Sequence, residues 1–163
     1  MEIKNGMDYE GYLNSSLEEY KEKQIKVSNF IKLEEKIIEK LKEIKSEKNI
    51  LVFAETYCPD SREVMAVLNE MKKYVKINLY IFPRKDNEDE LKKITGYAKI
   101  PTLIKLDESK KITNNYFIEF PEKFRAILKN KSETEIKNKI HQFRRGEYNH
   151  LIVEEIINKM FDA

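Results

Sequence analysis

The sequence predicts an α/β fold: a central mixed β-sheet flanked by helices, with additional helices at both ends of the chain. Three observations carry that expectation. Ile50-Leu51-Val52-Phe53-Ala54 is apolar without interruption, as a strand covered on both faces requires. Ile77, Leu79 and Ile81 alternate with Asn78, Tyr80 and Phe82, the period of a strand. Helical spacing interleaves with these runs in the middle of the chain and stands alone at its two ends, which is the pattern of an α/β core with helical additions. The chain of 163 residues fits one domain. Within it we expect an N-terminal helical extension over 1–48, an α/β core over 49–130, and C-terminal helices over 131–163 packed on the same domain.

The first 48 residues read as wholly helical. Ser16 followed by Glu19 has the form of a capping box, and Leu33, Ile37, Leu41 and Ile44 recur on one helix face. Tyr9, Tyr12, Tyr20 and Phe30 are expected mainly to pack this extension onto the core rather than to meet a partner. After the strand at Ile50–Ala54, a helix over 61–74 buries Val64, Val67, Leu68 and Met71. The strand at 77–82 follows, then a short helix over 88–95 closed by Gly96. Thr102–Leu106 and Ile112–Phe120 form two strands around the polar turn 107–111, a hairpin. A helix begins after Pro121. Ser132 with Glu135 makes another capping box ahead of the next helix, whose stripe is Ile136, Ile140 and Phe143, and Gly146 separates a last helix bearing Leu151, Ile152, Ile156, Ile157 and Met160.

Composition narrows the function. Lys+Arg 31 against Asp+Glu 29 gives a net charge of +2, and the charges are spread along helical faces, so a nucleic-acid surface is not expected. No apolar run is long enough to span a membrane, and the first residues lack the apolar core of a signal peptide, which predicts a cytoplasmic protein without a membrane partner. The single cysteine, Cys58, excludes internal disulfides and fits a reducing compartment. His141 and His150 lie far from it in sequence and provide too few ligands for a zinc site, so neither a metal nor another cofactor is expected.

Cys58 opens the tetrad Cys58-Pro59-Asp60-Ser61 directly after the first strand. Thiol–disulfide exchange needs an accessible thiolate, and the free N–H groups and dipole of a helix N-terminus favour negative charge on sulfur. Pro59 suits the first helical turn because its missing N–H would have no partner there. Arg62 would add to the effect, and Asp60 and Glu55 would oppose it if close. Ser61 either donates a hydrogen bond to the thiolate or caps the helix. Ile100-Pro101-Thr102 then leads into the third strand.

Cys58-Pro59-Asp60-Ser61, the Ile100-Pro101-Thr102 segment and the β-α-β-α-β-β-α order together resemble the thioredoxin superfamily, whose active site joins C-x-x-C or C-x-x-S to a cis-proline loop. The resemblance covers about residues 49 to 130. Within it the chain looks most like a bacterial branch with added N-terminal helices and a strand-Arg-Asp-x-x segment, here Phe82-Pro83-Arg84-Lys85-Asp86-Asn87. It implies Cys58 as nucleophile, Ser61 as its neighbour, and a binding rim of Tyr57, Pro59, Asp60, Ile100, Pro101 and Thr102 with a cis Ile100–Pro101 bond. The partner would be a protein disulfide or a low-molecular-weight thiol, and the oligomeric state is open.

Departures from the pattern matter equally. Ser61 replaces the resolving cysteine, Val52 stands where dithiol members carry a buried aspartate, and Tyr57 replaces the usual tryptophan. A non-catalytic binding module on the same fold is therefore the alternative. Peroxidase activity is not expected, since Glu55 stands where peroxiredoxins need threonine. Monothiol glutaredoxins share C-x-x-S, but Pro59 and Asp60 replace the glycine and phenylalanine of their site, which makes glutathione or iron–sulfur binding a weaker alternative.

Overall fold

The computed structural model describes residues 1–161. Among these residues four strands form one mixed sheet: β1 (Lys48–Phe53), β2 (Ile77–Phe82), β3 (Thr102–Leu106) and β4 (Ile112–Ile118), in the order β2-β1-β3-β4. β1 runs parallel to β2 and antiparallel to β3, and β3 and β4 make the expected hairpin. The helices are α1 (Tyr9–Asn14), α2 (Glu18–Phe30), α3 (Glu35–Lys42), α4 (Pro59–Met71), α5 (Glu88–Thr95), α6 (Glu122–Leu128), α7 (Glu133–Arg144) and α8 (Asn149–Ile156), the last continued by a π turn over Ile157–Phe161.

β1 shows why its sequence is apolar throughout. Ile50, Val52 and Ala54 face the larger core with Val64, Leu68, Phe117 and Ile156, whereas Leu51 and Phe53 face a smaller one with Leu91, Ile100 and Ile104. Both faces of the central strand are thus covered, and its neighbour β2 keeps the alternating burial its sequence announced. The larger cluster also takes in Tyr12 and Leu41 from the N-terminal helices and Phe143 and Met160 from the C-terminal ones.

Several local expectations change. The N-terminal segment is not wholly helical: Met7 exchanges two backbone hydrogen bonds of 2.8 Å with Ile81, an antiparallel bridge on the edge of β2. Gly6 permits this approach, because a Cβ there would lie 2.8 Å from the Tyr80 backbone. The bridge also covers part of an open sheet edge. Ser16 and Glu19 do not form a capping box. Leu17 precedes α2 without a side-chain cap, and the Ser16 hydroxyl instead donates to Tyr12 O at 3.0 Å and accepts from Thr56 Oγ1 at 2.6 Å. The fourth strand stops at Ile118 rather than Phe120, since Glu119 turns the chain at φ 64. α4 starts at Pro59, two residues early, because Cys58 itself is the N-cap. Gly96 closes α5 at φ 88, and the Ser132 hydroxyl accepts from Glu135 N–H at the start of α7.

α2 carries little apolar surface, and it docks through buried polar groups. Tyr12 Oη donates to Gln24 Oε1 at 3.0 Å, Gln24 Nε2 donates to Arg62 O at 3.0 Å, and Arg62 Nη1 donates to Thr56 O at 2.6 Å. Gln24 is fully buried with both amide atoms engaged, so the network replaces a hydrophobic stripe in holding α2 to α4.

Candidate functional site

The register that pairs Phe53 with Thr102 brings the end of β1 beside the start of β3. The loop carrying Cys58 leaves the first, and the loop carrying Ile100 and Pro101 enters the second. Ile100–Pro101 is cis, Pro101 O accepts from Glu119 N–H at 2.7 Å, and Thr102 Oγ1 donates to Lys99 O at 2.7 Å. Cys58 is half-buried and packs against the small core that contains Ile100.

Cys58 Sγ accepts the Ser61 backbone N–H at 3.5 Å. The Ser61 side chain does not serve the sulfur. It is fully buried, and its hydroxyl accepts the Glu55 backbone N–H at 3.4 Å. Ser61 thus contributes its main chain to Cys58 and its side chain to the loop that precedes it. Pro59 occupies the first turn of the helix, where its lack of an N–H costs nothing.

Asp60 also departs from expectation. It is 6% exposed, and both carboxylate oxygens are held by Arg144: Nε to Oδ1 at 2.9 Å and Nη2 to Oδ2 at 3.1 Å. Asp60 therefore does not stand at the rim as a free anion facing a partner. Arg144 comes from α7, outside the α/β core, and its protonated form is favoured first by Asp60 and further by the nearby Cys58 and Glu119. The C-terminal helices thus supply a bidentate clamp at the start of the Cys58 helix. Arg62, expected to act on the sulfur, instead ties down Thr56.

Tyr57 is 44% exposed and forms a rim. Its hydroxyl donates to Glu55 Oε2 at 2.9 Å and accepts from Arg84 Nη2 at 3.2 Å, while Arg84 Nη1 donates to Ala98 O at 3.2 Å. Partial burial raises the Tyr57 pKa, with the Arg84 hydrogen bond opposing the rise. Arg84 therefore joins the loop after β2 to both the Cys58 loop and the approach to Pro101. Beside Tyr57 a cleft of about 550 Å³ opens between the core and the N-terminal extension, walled by Tyr12, Tyr20, Leu17 and Phe82.

The family model described as Thioredoxin matches residues 6–137. The chain belongs to the thioredoxin family. The match begins inside the N-terminal extension, so the thioredoxin pattern here reaches beyond the α/β core. Two solved structures share the fold. One is an HIV epitope-scaffold, 20% identical with TM-score 0.78, covering 96% of this chain and 93% of that one. The other is a protein of unknown function from Pseudomonas aeruginosa, 20% identical with TM-score 0.79, covering 96% of this chain and 92% of its own. No curated protein matches the sequence.

Where dithiol thioredoxins are expected to bury an aspartate, Val52 is fully buried among apolar neighbours. A buried carboxyl without an ion pair among the described residues stands elsewhere, at Glu63 on α4, which is 3% exposed. Burial raises its pKa from 4.5 to about 7, Arg62 opposing and Asp60 adding to the rise. In the unfolded chain this group releases its proton near 4.5, and in the folded chain near 7, so the folded state binds the extra proton between them. Stability should therefore fall as pH rises through that window and level off above it. A tenfold change in proton affinity is worth about 1.4 kcal/mol, which caps the loss at about 3–4 kcal/mol. Glu63→Gln is expected to remove this dependence and to stabilise the protein above neutrality. Urea unfolding at about pH 5 and about pH 8 checks it, and a pH difference that survives the substitution would assign the effect to another group.

Among the described residues no three His, Cys, Asp or Glu side chains converge as a metal site, and no helix is long and apolar enough to cross a membrane.

Proposed function

We propose that this thioredoxin-family chain is a monothiol protein of thiol–disulfide exchange, working through a mixed disulfide at Cys58 in a reducing, cytoplasmic compartment. We place it with the bacterial branch that carries added N-terminal helices. The observation that carries the reading is the half-buried Cys58 sulfur at the N-terminus of α4, accepting the Ser61 N–H at 3.5 Å beside the Ile100–Pro101 loop. The Cys58 thiolate attacks one sulfur of a target disulfide; a new S–S bond forms to Cys58 and the other target sulfur leaves as thiolate. No second cysteine exists to break that bond, so an external low-molecular-weight thiol displaces Cys58 and is itself left disulfide-bonded to the target. Tyr57 and Pro59, with the backbone of the Ile100-Pro101-Thr102 loop, would frame the approaching chain; the side chains of Ile100 and Thr102 are buried, at 4% and 0% exposed.

Trapping tests it. Tagged protein incubated with oxidised lysate and then alkylated should give discrete higher-mass species on non-reducing gels. These species should vanish with reductant and be missing for Cys58→Ser. Intact mass should also reveal any single reversible thiol addition. If reduced, accessible Cys58 yields neither product, the exchange reading is wrong. The second reading, a binding module that kept the groove alone, is favoured by the buried Ser61 hydroxyl and the apolar Val52, neither of which moves protons or electrons for Cys58.

A further inference from the structure

A cavity of about 520 Å³ opens where α2, α4, α7 and the start of α8 meet, a volume within the range of roughly 300–1,000 Å³ typical of small-molecule sites. Glu63 lines it. Among the described residues no hydrogen bond or ion pair reaches the Glu63 carboxyl, although the side chain is buried. Asn149, from α8, lines the same cavity with a buried Oδ1 that also lacks a donor. Two buried acceptors without donors are costly, at about 1–3 kcal/mol each.

The charges around the cavity sort into pairs with one of each sign left over. Arg144 is held by Asp60 and Arg145 by Glu147, the latter at 2.9 Å. Lys26, on α2, lines the cavity and has no ion pair or hydrogen bond among the described residues. What is left unpaired is one carboxyl and one ammonium. The remaining wall is apolar: Val27, Ile31 and Phe30, the last 77% exposed.

We propose that this cavity binds an α-amino acid with an apolar side chain, held as the zwitterion. Its ammonium supplies donors to Glu63 and Asn149 Oδ1, its carboxylate meets Lys26, and its side chain lies against Val27, Phe30 and Ile31. The opposite charges of Glu63 and Lys26 favour a ligand carrying both signs over a simple anion or cation. This site is separate from the thiol and does not depend on its chemistry.

The ammonium requires ionised Glu63. Arg62 and Asp60 act on it from its own helix, and Lys26 from α2, Arg144 and Arg145 from α7 and the neutral Asn149 from α8 line the same cavity. Affinity should be full above about 7 and fall about tenfold for each pH unit below it.

Calorimetric titration of the whole chain with L-leucine, N-acetyl-L-leucine and L-leucinamide, slightly above neutral pH, tests the assignment. Leucine should bind at millimolar or lower concentration, the acetylated form should not, and leucinamide should bind several-fold more weakly. Glu63→Gln should lower leucine affinity by at least about tenfold, as expected for losing a charge-assisted hydrogen bond. Lys26→Gln, at an exposed position with no fold to disturb, should make leucine and leucinamide bind alike. The proposal is overturned if leucine fails to bind at millimolar concentration, if N-acetyl-L-leucine binds equally well, or if Glu63→Gln leaves affinity unchanged.

Discussion

Phe124→Ala should cost about 3–5 kcal/mol of folding stability, the range for emptying a fully buried aromatic position. Phe124 is 0% exposed on α6. Its ring lies 4.8 Å from Phe143, 4.8 Å from Tyr148 and 5.2 Å from Phe120. Phe143 and Phe120 in turn meet edge to face at 5.0 Å. Phe143 comes from α7 and Tyr148 from the turn before α8, so this cluster is where the C-terminal helices join the core. Truncating Phe124 removes the ring that touches all three others, and the interlocked neighbours cannot collapse into the space without leaving their own contacts. Urea unfolding should show one transition with a much lower midpoint. Ile112→Ala, at a 40% exposed position, should shift it by no more than about 0.5 kcal/mol. Two separated transitions in the Phe124 variant would instead mean that the C-terminal helices unfold by themselves and form a unit of their own.

What could be read from the sequence follows the range of the interaction. β1, β2, the hairpin and the stop at Gly96 are set by neighbours within a few residues, through alternation, apolar runs and a glycine in the left-handed region, and these were legible. The Ser132 half of the capping box was legible for the same reason, whereas the Glu135 carboxylate accepts from the Ser132 hydroxyl and not from its backbone N–H. Ser16 offered the same local signal, yet its hydroxyl is taken by Tyr12 O and Thr56, the second of which lies in a distant loop. Met7 carries no strand pattern at all; its pairing with Ile81 depends on Gly6 passing close to the β2 backbone. The placement of Cys58 and Pro59 at the start of α4, and of the cis Ile100–Pro101 bond ahead of β3, was readable because motif and element order coincide. Arg144 was not, since nothing near it in sequence points to Asp60. Glu63 was missed because a carboxylate beside Val64 on a charged helix looks like solvated surface, and only the packing of α2 and α8 over α4 buries it.

The Ser61 position gives the sharpest functional test. Wild-type protein should show almost no insulin reduction with dithiothreitol as reductant, because a serine hydroxyl cannot displace Cys58 from a mixed disulfide. Ser61→Cys should raise that rate by at least about tenfold, since the new thiolate attacks Cys58 sulfur, releases the target thiol and leaves an internal disulfide for dithiothreitol to reduce. The backbone already suits this. Ser61 N–H points at Cys58 Sγ from 3.5 Å, which places residue 61 against the sulfur in the first turn of α4. The side chain needs only to turn from the Glu55 N–H, a contact of 3.4 Å, towards Cys58. The loss of that long hydrogen bond costs about 1 kcal/mol or less. Mild oxidation should then lower the intact mass by two hydrogens in Ser61→Cys, the loss that formation of one disulfide requires. If both thiols are free in folded Ser61→Cys protein and no bridge forms, Cys58 and residue 61 do not share a redox site, and the chain's thioredoxin fold serves binding alone.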